Sequence, residues 1–276
     1  MSPPSDTIKK EEVLQLRIDK PFLELLSAFA AEQKMPISVM IRAWLSERLN
    51  KELKLANSSR VEWLKDRFVS LQEKLSEFNS GPVLAIHAFA LTPGIYIDPE
   101  KVRSMHGALA PYPQSLPAIG RINRLGYEQK REYQDKIVSA GQAFKTGNLE
   151  FIQSIDSNKQ EILGMALDHG IIEIIRAQVG LLAGMQIPLP YLFKISILRA
   201  KGYWLTVNPT LFSNTIPQVD FQEDEFTLQD IIISDFAQVD SESKLAECIK
   251  PALDELWHAA GIGRSASFTD GKWNKR

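Results

Sequence analysis

Apolar and polar positions near the start of the chain change their spacing at one point. Over residues 13–18 they alternate, which is typical of a strand with one buried face. After Asp19-Lys20-Pro21, a capping residue and a first-turn proline, apolar residues recur every three or four positions and predict a helix to about Gln33. Lys34-Met35-Pro36 breaks this pattern, because the residue before a proline is disfavoured in helices. A second helix is expected at 37–53.

A second apolar stripe lies in a helix expected between residues 60 and 78. Its members are spaced three and four apart, as in a coiled coil, and they are Val61, Leu64, Phe68, Leu71, Leu75 and Phe78. Two alternatives stay open: a short coiled coil, or a stripe that packs on the adjoining domain. Asn79-Ser80-Gly81-Pro82 ends the helix and marks a domain boundary. The chain is therefore divided into residues 1–56, a linking helix at 57–81, and 82–276.

The third region predicts a mixed α+β domain whose strand order the sequence leaves open. Its expected elements are a buried strand in PVLAIHAFAL (82–91), a proline-rich loop at 111–117, strands at 162–167 and 171–175 separated by a turn at 168–170, a helix at 176–184, apolar segments at 191–199 and 203–207, a strand within 226–236, and a helix at 242–260.

The first strand and two helices are too small to bury a core within one chain. We expect two copies to pair their strands antiparallel, with four helices beneath the resulting ribbon. The inward-facing positions of this dimer are Leu14, Leu16, Ile18, Phe22, Leu26, Ile41 and Leu45. Val13, Gln15 and Arg17 face outward on a ribbon that fits the DNA major groove, where Gln pairs with adenine and Arg with guanine.

The segment VLQLRIDKPFLELLSAFAAEQKMPISVMIRAWLSERL resembles the ribbon-helix-helix family of bacterial and phage repressors, without a gap over 37 residues. The resemblance implies a swapped dimeric β-ribbon with four helices. It also implies that Val13, Gln15 and Arg17 read bases, and that Ile37 and Ser38 anchor a phosphate at the start of the second helix. The family commonly has Gly and a small hydroxyl residue in the turn, where this chain has Lys34 and Pro36. An alternative is that the unit serves only as a dimerisation clamp.

Composition narrows the function classes. The net charge is −2 with 44% hydrophobic and 24% charged residues, which excludes a uniformly basic nucleic-acid coat. Residues 1–80 have a net charge of +1, so non-specific affinity for DNA should be weak and specificity should come from the ribbon. The single cysteine, Cys248, excludes an intrachain disulfide and a cysteine-based zinc site. No apolar run reaches the roughly 20 residues of a membrane span, so a cytoplasmic protein without membrane partners is expected.

Catalytic patterns are scarce, and no enzyme, cofactor or metal is expected. Glu255 and His258 lie three apart on a predicted helix, but the second such pair that a metal would require is missing, so we expect a surface pair. His87 lies in an apolar strand and is expected to be a hydrogen-bonded core residue. Cys248 has no histidine placed to activate it, and no phosphate-binding glycine loop occurs.

Three stretches of the third region, at 187–207, 231–236 and 249–273, are similar to the C-terminal half of prokaryotic proteins with a Schlafen-like divergent AlbA domain. The most specific part is D-x-L-W-x-A-x-G-x-x-R-S at 254–265. The AlbA-like module itself is replaced here by the ribbon-helix-helix segment, so its activity is not implied. What is implied is a companion domain that serves as a sensor or assembly platform.

Together these patterns favour a homodimeric, sequence-specific binder of double-stranded DNA, acting as a transcriptional repressor or autoregulator. Its C-terminal domain would respond to a small-molecule or protein effector, or drive assembly above the dimer. Three alternatives stay open: an antitoxin, a DNA-tethered assembly or segregation factor, and a nucleotide-handling enzyme.

Overall fold

A computed structural model describes residues 20–34, 36–92, 94–105, 109, 113, 115–158, 160–207 and 219–274; of residues 20–22, 42–58 and 158 it describes the backbone only. The predicted strand at 13–18 and its neighbour Asp19 lie outside these residues. The chain divides into two compact units, with the division between Val69 and Ser70.

The first unit contains α1 (Lys20–Glu32), which confirms the predicted helix, and most of α2 (Ile37–Lys74), whose last five residues belong to the second unit. The helices expected at 37–53 and 60–78 are one continuous helix, because residues 54–59 contain no glycine or proline that would interrupt it. A short 3-10 turn follows at Leu75–Glu77. The predicted linking helix is therefore the second half of α2.

Among its described residues, the second unit contains three further α-helices and thirteen strands. The helices are α3 (Pro99–Ser104), α4 (Gly164–Gly184) and α5 (Glu242–Ala259). The strands are β1 (Val83–Ala90), β2 (Ile119–Ile122), β3 (Gly126–Tyr133), β4 (Lys136–Phe144), β5 (Asn148–Ser154), β6 (Ser157–Asn158), β7 (Glu161–Leu163), β8 (Tyr191–Leu198), β9 (Trp204–Thr206), β10 (Glu225–Thr227), β11 (Ile231–Ile233), β12 (Phe268–Thr269) and β13 (Lys272–Trp273).

An eight-stranded antiparallel sheet organises this unit, in the order β10-β8-β1-β5-β4-β3-β2, and β11 also pairs with β8. β1 lies inside the sheet and every one of its residues is buried, which explains why its sequence is continuously apolar rather than alternating. Residues 84, 86 and 88 on one of its faces join the core that includes α4 and α5. The expected α+β class and the strand at β1 are confirmed for the described residues.

The structure corrects the prediction for residues 162–175. Only Glu161–Leu163 forms a strand, and the expected turn at 168–170 and strand at 171–175 both lie within α4. The isoleucines of this segment are buried on a helix that is covered on most sides, and a short apolar run of this kind fits a buried strand equally well. Gly170, taken as a turn signal, has open space where a side chain would be. The helix expected at 242–260 is confirmed as α5.

The later part of the second apolar stripe packs inside the second unit. Leu71, Leu75 and Phe78 are buried there, and the backbone of Phe78 bridges to that of Ile137 in β4. Arg199, at the end of β8, donates to the carbonyl oxygens of Leu75 and Asn79 at 3.2 and 2.6 Å. For these three stripe residues, packing on the adjoining domain is therefore the alternative that the structure supports. None of the described helices is both long enough and apolar enough to span a membrane.

Candidate functional site

The predicted base-reading residues Val13, Gln15 and Arg17 lie outside the described residues, as do the predicted core residues Leu14, Leu16 and Ile18. Phe22 and Leu45 lie on α1 and α2, and only their backbone is described. Ile41 is half-buried on α2. The ribbon assignment therefore stays a prediction.

The predicted phosphate anchor lies at the first turn of α2. Ile37 begins the helix, and the amides of Val39 and Met40 both donate to the carbonyl of Pro36, at 3.0 and 3.1 Å. The amides of Ile37 and Ser38 belong to the first turn, where no acceptor exists within the helix. Ser38 is exposed. This position has the donors and the dipole orientation that favour an anion.

The apolar stripe of α1 is largely exposed in a single chain. Two members of the stripe, Leu25 and Phe29, are 68% and 54% exposed. Leu26 is half-buried, and Ala30 is buried. Large apolar side chains repeated on one helix at this exposure are typical of a surface that is covered by a partner.

The predicted core histidine is confirmed. His87 of β1 lies opposite Glu150 of β5 in register, and its Nε2 is 3.1 Å from Glu150 Oε2. Both residues are buried, at 0% and 2% exposure. This contact joins the two buried polar side chains across neighbouring strands of the sheet.

The second unit also contains a buried carboxyl, Asp168 of α4, which the sequence had suggested lies in a turn. Its Oδ2 accepts hydrogen bonds from Ser265 Oγ at 2.6 Å, Ser267 Oγ at 2.7 Å and Trp257 Nε1 at 3.0 Å. Desolvation raises the pKa of Asp168 to about 7, although the three hydrogen bonds act in the opposite direction. No local pattern marks Asp168, because its three partners lie about 90 to 100 positions along the chain.

The Asp168 cluster explains the most specific motif of the C-terminal region. Trp257 and Ser265 belong to that motif, and so does Asp254, whose Oδ1 accepts from the Ser265 amide at 2.9 Å. Gly164 lies against the Trp257 indole so closely that an added Cβ would be 2.6 Å from the ring. Because Asp168, Trp257 and Ser265 are all buried, these contacts fasten the C-terminal segment to α4.

Glu255 and His258 are each bound to the backbone. Glu255 Oε2 accepts from the amide of Gln229 at 2.6 Å, and His258 Nε2 is 2.7 Å from the carbonyl oxygen of Gly263. Among the described residues, no group of three or more His, Cys, Asp and Glu could hold a metal ion. Cys248 is half-buried, and burial raises the pKa of its thiol, which disfavours the reactive thiolate.

Two open cavities in the second unit are large enough for a small molecule. One, of about 480 Å³, is lined by Phe221, Glu223, Phe226, Thr227, Glu255 and His258. The other, of about 640 Å³, has a mostly polar lining that includes Asn79, Ser80, Tyr133, Gln153, Asp156 and Ser157.

In comparisons with known proteins, the chain matches no protein-family model and no curated protein sequence. The resemblances to the ribbon-helix-helix family and to the Schlafen-like proteins are not tested by these comparisons and stay predictions.

Proposed function

We propose that this chain forms a homodimeric, sequence-specific DNA-binding protein, a transcriptional repressor or autoregulator whose second unit senses a ligand or a protein partner. The observation that carries the proposal is the exposed apolar stripe of α1, which follows a segment of alternating polarity and precedes a helix that begins after a proline break.

The exposed stripe supports dimerisation. Leu25 and Phe29 leave much of their apolar surface in water, and covering a side chain of this kind contributes about 1.5–3 kcal/mol when burial is complete. A second copy that pairs its 13–18 segment with the same segment of the first would cover this surface. The four helices would then share one core.

DNA recognition in this proposal is divided between two positions. Gln15 and Arg17 have side chains that pair with adenine and guanine in the major groove. Ile37 and Ser38 provide first-turn amides for a phosphate, which fixes the position of the ribbon but carries no sequence information. Because residues 1–80 have a net charge of only +1, tight binding requires the base contacts.

Sensing by the second unit is supported by its two cavities and by α2. This helix begins in the first unit and ends at Lys74 in the second, where Leu71 is buried. A ligand or partner that moves the packing around Leu71 would act on the same helix that carries the phosphate anchor.

The proposal is tested by fluorescence anisotropy on DNA from upstream of the chain's own gene, with scrambled DNA for comparison, at low and high salt. The variant Gln15→Ala/Arg17→Ala is expected to bind the upstream DNA at least about tenfold more weakly, since each base contact contributes about 1–3 kcal/mol of discrimination. The matched control Gln33→Ala/Lys65→Ala changes one amide and one cation at exposed positions of the same unit and should bind as wild type does.

Sedimentation of each variant establishes whether the dimer persists. Equal, weak and salt-sensitive binding by wild type and the double variant would reject the proposal and leave the first unit as a dimerisation clamp. A dimer that dissociates in the double variant would reject the outward-facing positions of Gln15 and Arg17.

A further inference from the structure

The two edges of the large sheet carry opposite charge. Residues 101–127, which include the last four residues of α3 and all of β2, contain four Lys and Arg and no Asp or Glu, and one of these cations, Arg103, pairs with Glu100 of α3 at 3.3 Å. Residues 220–240, which include β10 and β11, contain seven Asp and Glu and no Lys or Arg. Among the described residues, β2 lies at one edge of the sheet, while β10 and β11 form the other. The charge is therefore segregated between two ends of one rigid element.

The basic edge, defined by β2 with Arg121 and Arg124, also exposes apolar side chains. Ile119, Ile122 and Leu125 are 63%, 40% and 46% exposed. The Arg121 side chain is 71% exposed and pairs with Glu128 at 2.8 Å. Isolated exposed apolar residues are ordinary, but three on one short edge strand and its turn form a contact surface.

The backbone of β2 has hydrogen-bonding groups that point away from the sheet. Asn123 and Gly126 exchange both backbone hydrogen bonds, at 2.8 and 3.2 Å, where β2 turns into β3. Bonded and non-bonded positions alternate along an antiparallel pair, so Gly120 and Ile122 direct their N–H and C=O groups outward. Such groups are a template for pairing with another chain.

The acidic edge, defined by β10 and β11 with Glu223, Asp224 and Glu225, matches these properties. All three acidic side chains are exposed. Ile232 in β11 is 53% exposed and Phe236 just beyond it is 47% exposed. One edge therefore offers isoleucines and arginines, and the other offers an isoleucine, a phenylalanine and carboxylates.

We propose that the basic edge of one chain docks on the acidic edge of a second copy of this chain, head to tail. Opposite charges steer the two edges together, and the exposed apolar side chains of each cover those of the other. Because the two surfaces differ, the contact need not close on itself and can add further copies to an open row. Two short edges bury little area, so the contact is weak and depends on protein concentration and salt.

This assembly contact lies wholly in the second unit and does not rest on DNA binding by the first. It goes beyond the proposed function because it would align neighbouring molecules in a row, whether or not DNA is present. A failure of the DNA-binding test leaves it unaffected, and its own failure leaves DNA binding unaffected.

The test is sedimentation velocity of the full chain over a range of protein concentrations at low and high salt. The weight-average mass of wild type is expected to rise by about twofold or more at low salt, because a head-to-tail contact has no fixed end point, and to fall back at high salt. Arg121→Glu/Arg124→Glu reverses the two arginines that define the basic edge, and Glu223→Lys/Glu225→Lys reverses two of the three carboxylates that define the acidic edge. Neither variant alone should assemble beyond the species found at the lowest concentration.

An equimolar mixture of the two variants should regain the contact, because the unaltered acidic edge of the arginine variant then meets the unaltered basic edge of the glutamate variant. The control Lys201→Glu/Lys272→Glu reverses two exposed cations outside both edges and should assemble as wild type does. Circular dichroism verifies that each variant folds, and Arg121→Gln/Arg124→Gln replaces the reversal if it does not. A wild-type mass that is independent of concentration, or a mixture that fails to assemble, overturns the proposal.

Discussion

Replacing Asp168 by Asn should change how the stability of the second unit depends on pH. Burial raises the pKa of this carboxyl from 3.8 to about 7 in the folded chain. Below pH 4 the carboxyl is protonated in both the folded and the unfolded chain. As the pH rises from about 4 to about 7, the unfolded chain loses the proton while the folded chain keeps it, so the free energy of unfolding falls.

The size of this effect follows from the shift. Each pKa unit corresponds to about 1.4 kcal/mol, so the wild type loses about 4 kcal/mol across this interval through Asp168 alone. Asn cannot ionise, so the Asp168→Asn variant does not lose this free energy of unfolding as the pH rises. Its oxygen can take the place of Oδ2, where Ser265, Ser267 and Trp257 all donate, while its amide group replaces Oδ1 and loses one acceptor at any pH.

The assay is urea denaturation at a series of pH values, followed by tryptophan fluorescence. The free energy of unfolding of wild type minus that of Asp168→Asn should decrease by about 4 kcal/mol between acidic and mildly alkaline pH. Asp270→Asn makes the same substitution at an exposed position and serves as the matched control. A constant difference for Asp168→Asn would refute the reasoning, because it would mean that the buried carboxyl does not titrate in this interval.

Substitutions at Gly164, Leu71 and Arg17 test other parts of the chain. Gly164→Ala should lower the free energy of unfolding by about 1–3 kcal/mol, because the added Cβ would meet the Trp257 ring. Gly180 faces open space in the same helix, so Gly180→Ala should raise that free energy by up to about 1 kcal/mol. Equal effects of the two substitutions in urea denaturation would contradict the packing of Gly164 on Trp257. Leu71→Ala should lower the free energy of unfolding by about 2–5 kcal/mol, as for other buried leucines, and thermal denaturation at wild-type Tm would contradict its burial. Arg17→Ala should reduce the discrimination between bases by about 1–3 kcal/mol in anisotropy titrations with mismatched operators, and it should leave the dimer intact. A variant that unfolds would contradict the outward position of Arg17.

The sequence by itself determined the elements whose pattern is local and continuous. β1 is recognisable in the sequence because its eight residues are all apolar or small except His87, as expected of a strand that is buried along its whole length. α1 and α5 carry a stripe on one face, so their period indicates a helix without knowledge of what they pack against. The α+β class followed from these elements together.

The sequence predicted the part of α4 at 176–184, but only the tertiary structure decided that the helix begins at Gly164 and where the strands β2 to β5 lie. α4 is apolar on most sides, so the spacing of its apolar residues does not distinguish a helix from a strand until the neighbouring elements are known. The strands β2 to β5 contain polar residues and glycines, and the reason for these residues is visible only when the neighbouring strands of the sheet are known. Glu150, for example, is acceptable inside the sheet because strand pairing brings it to His87, 63 positions earlier in the chain.

The same distinction applies to the closing motif. Its residues stood out in the sequence, but their purpose depends on Asp168, about 90 positions before Trp257. A carboxyl in the middle of a helix is ordinary in sequence, and burial is what makes it costly unless donors reach it. Local patterns therefore predicted α1, α5 and the central strand β1, whereas the pairing of buried polar groups was decided by contacts between segments far apart in the chain.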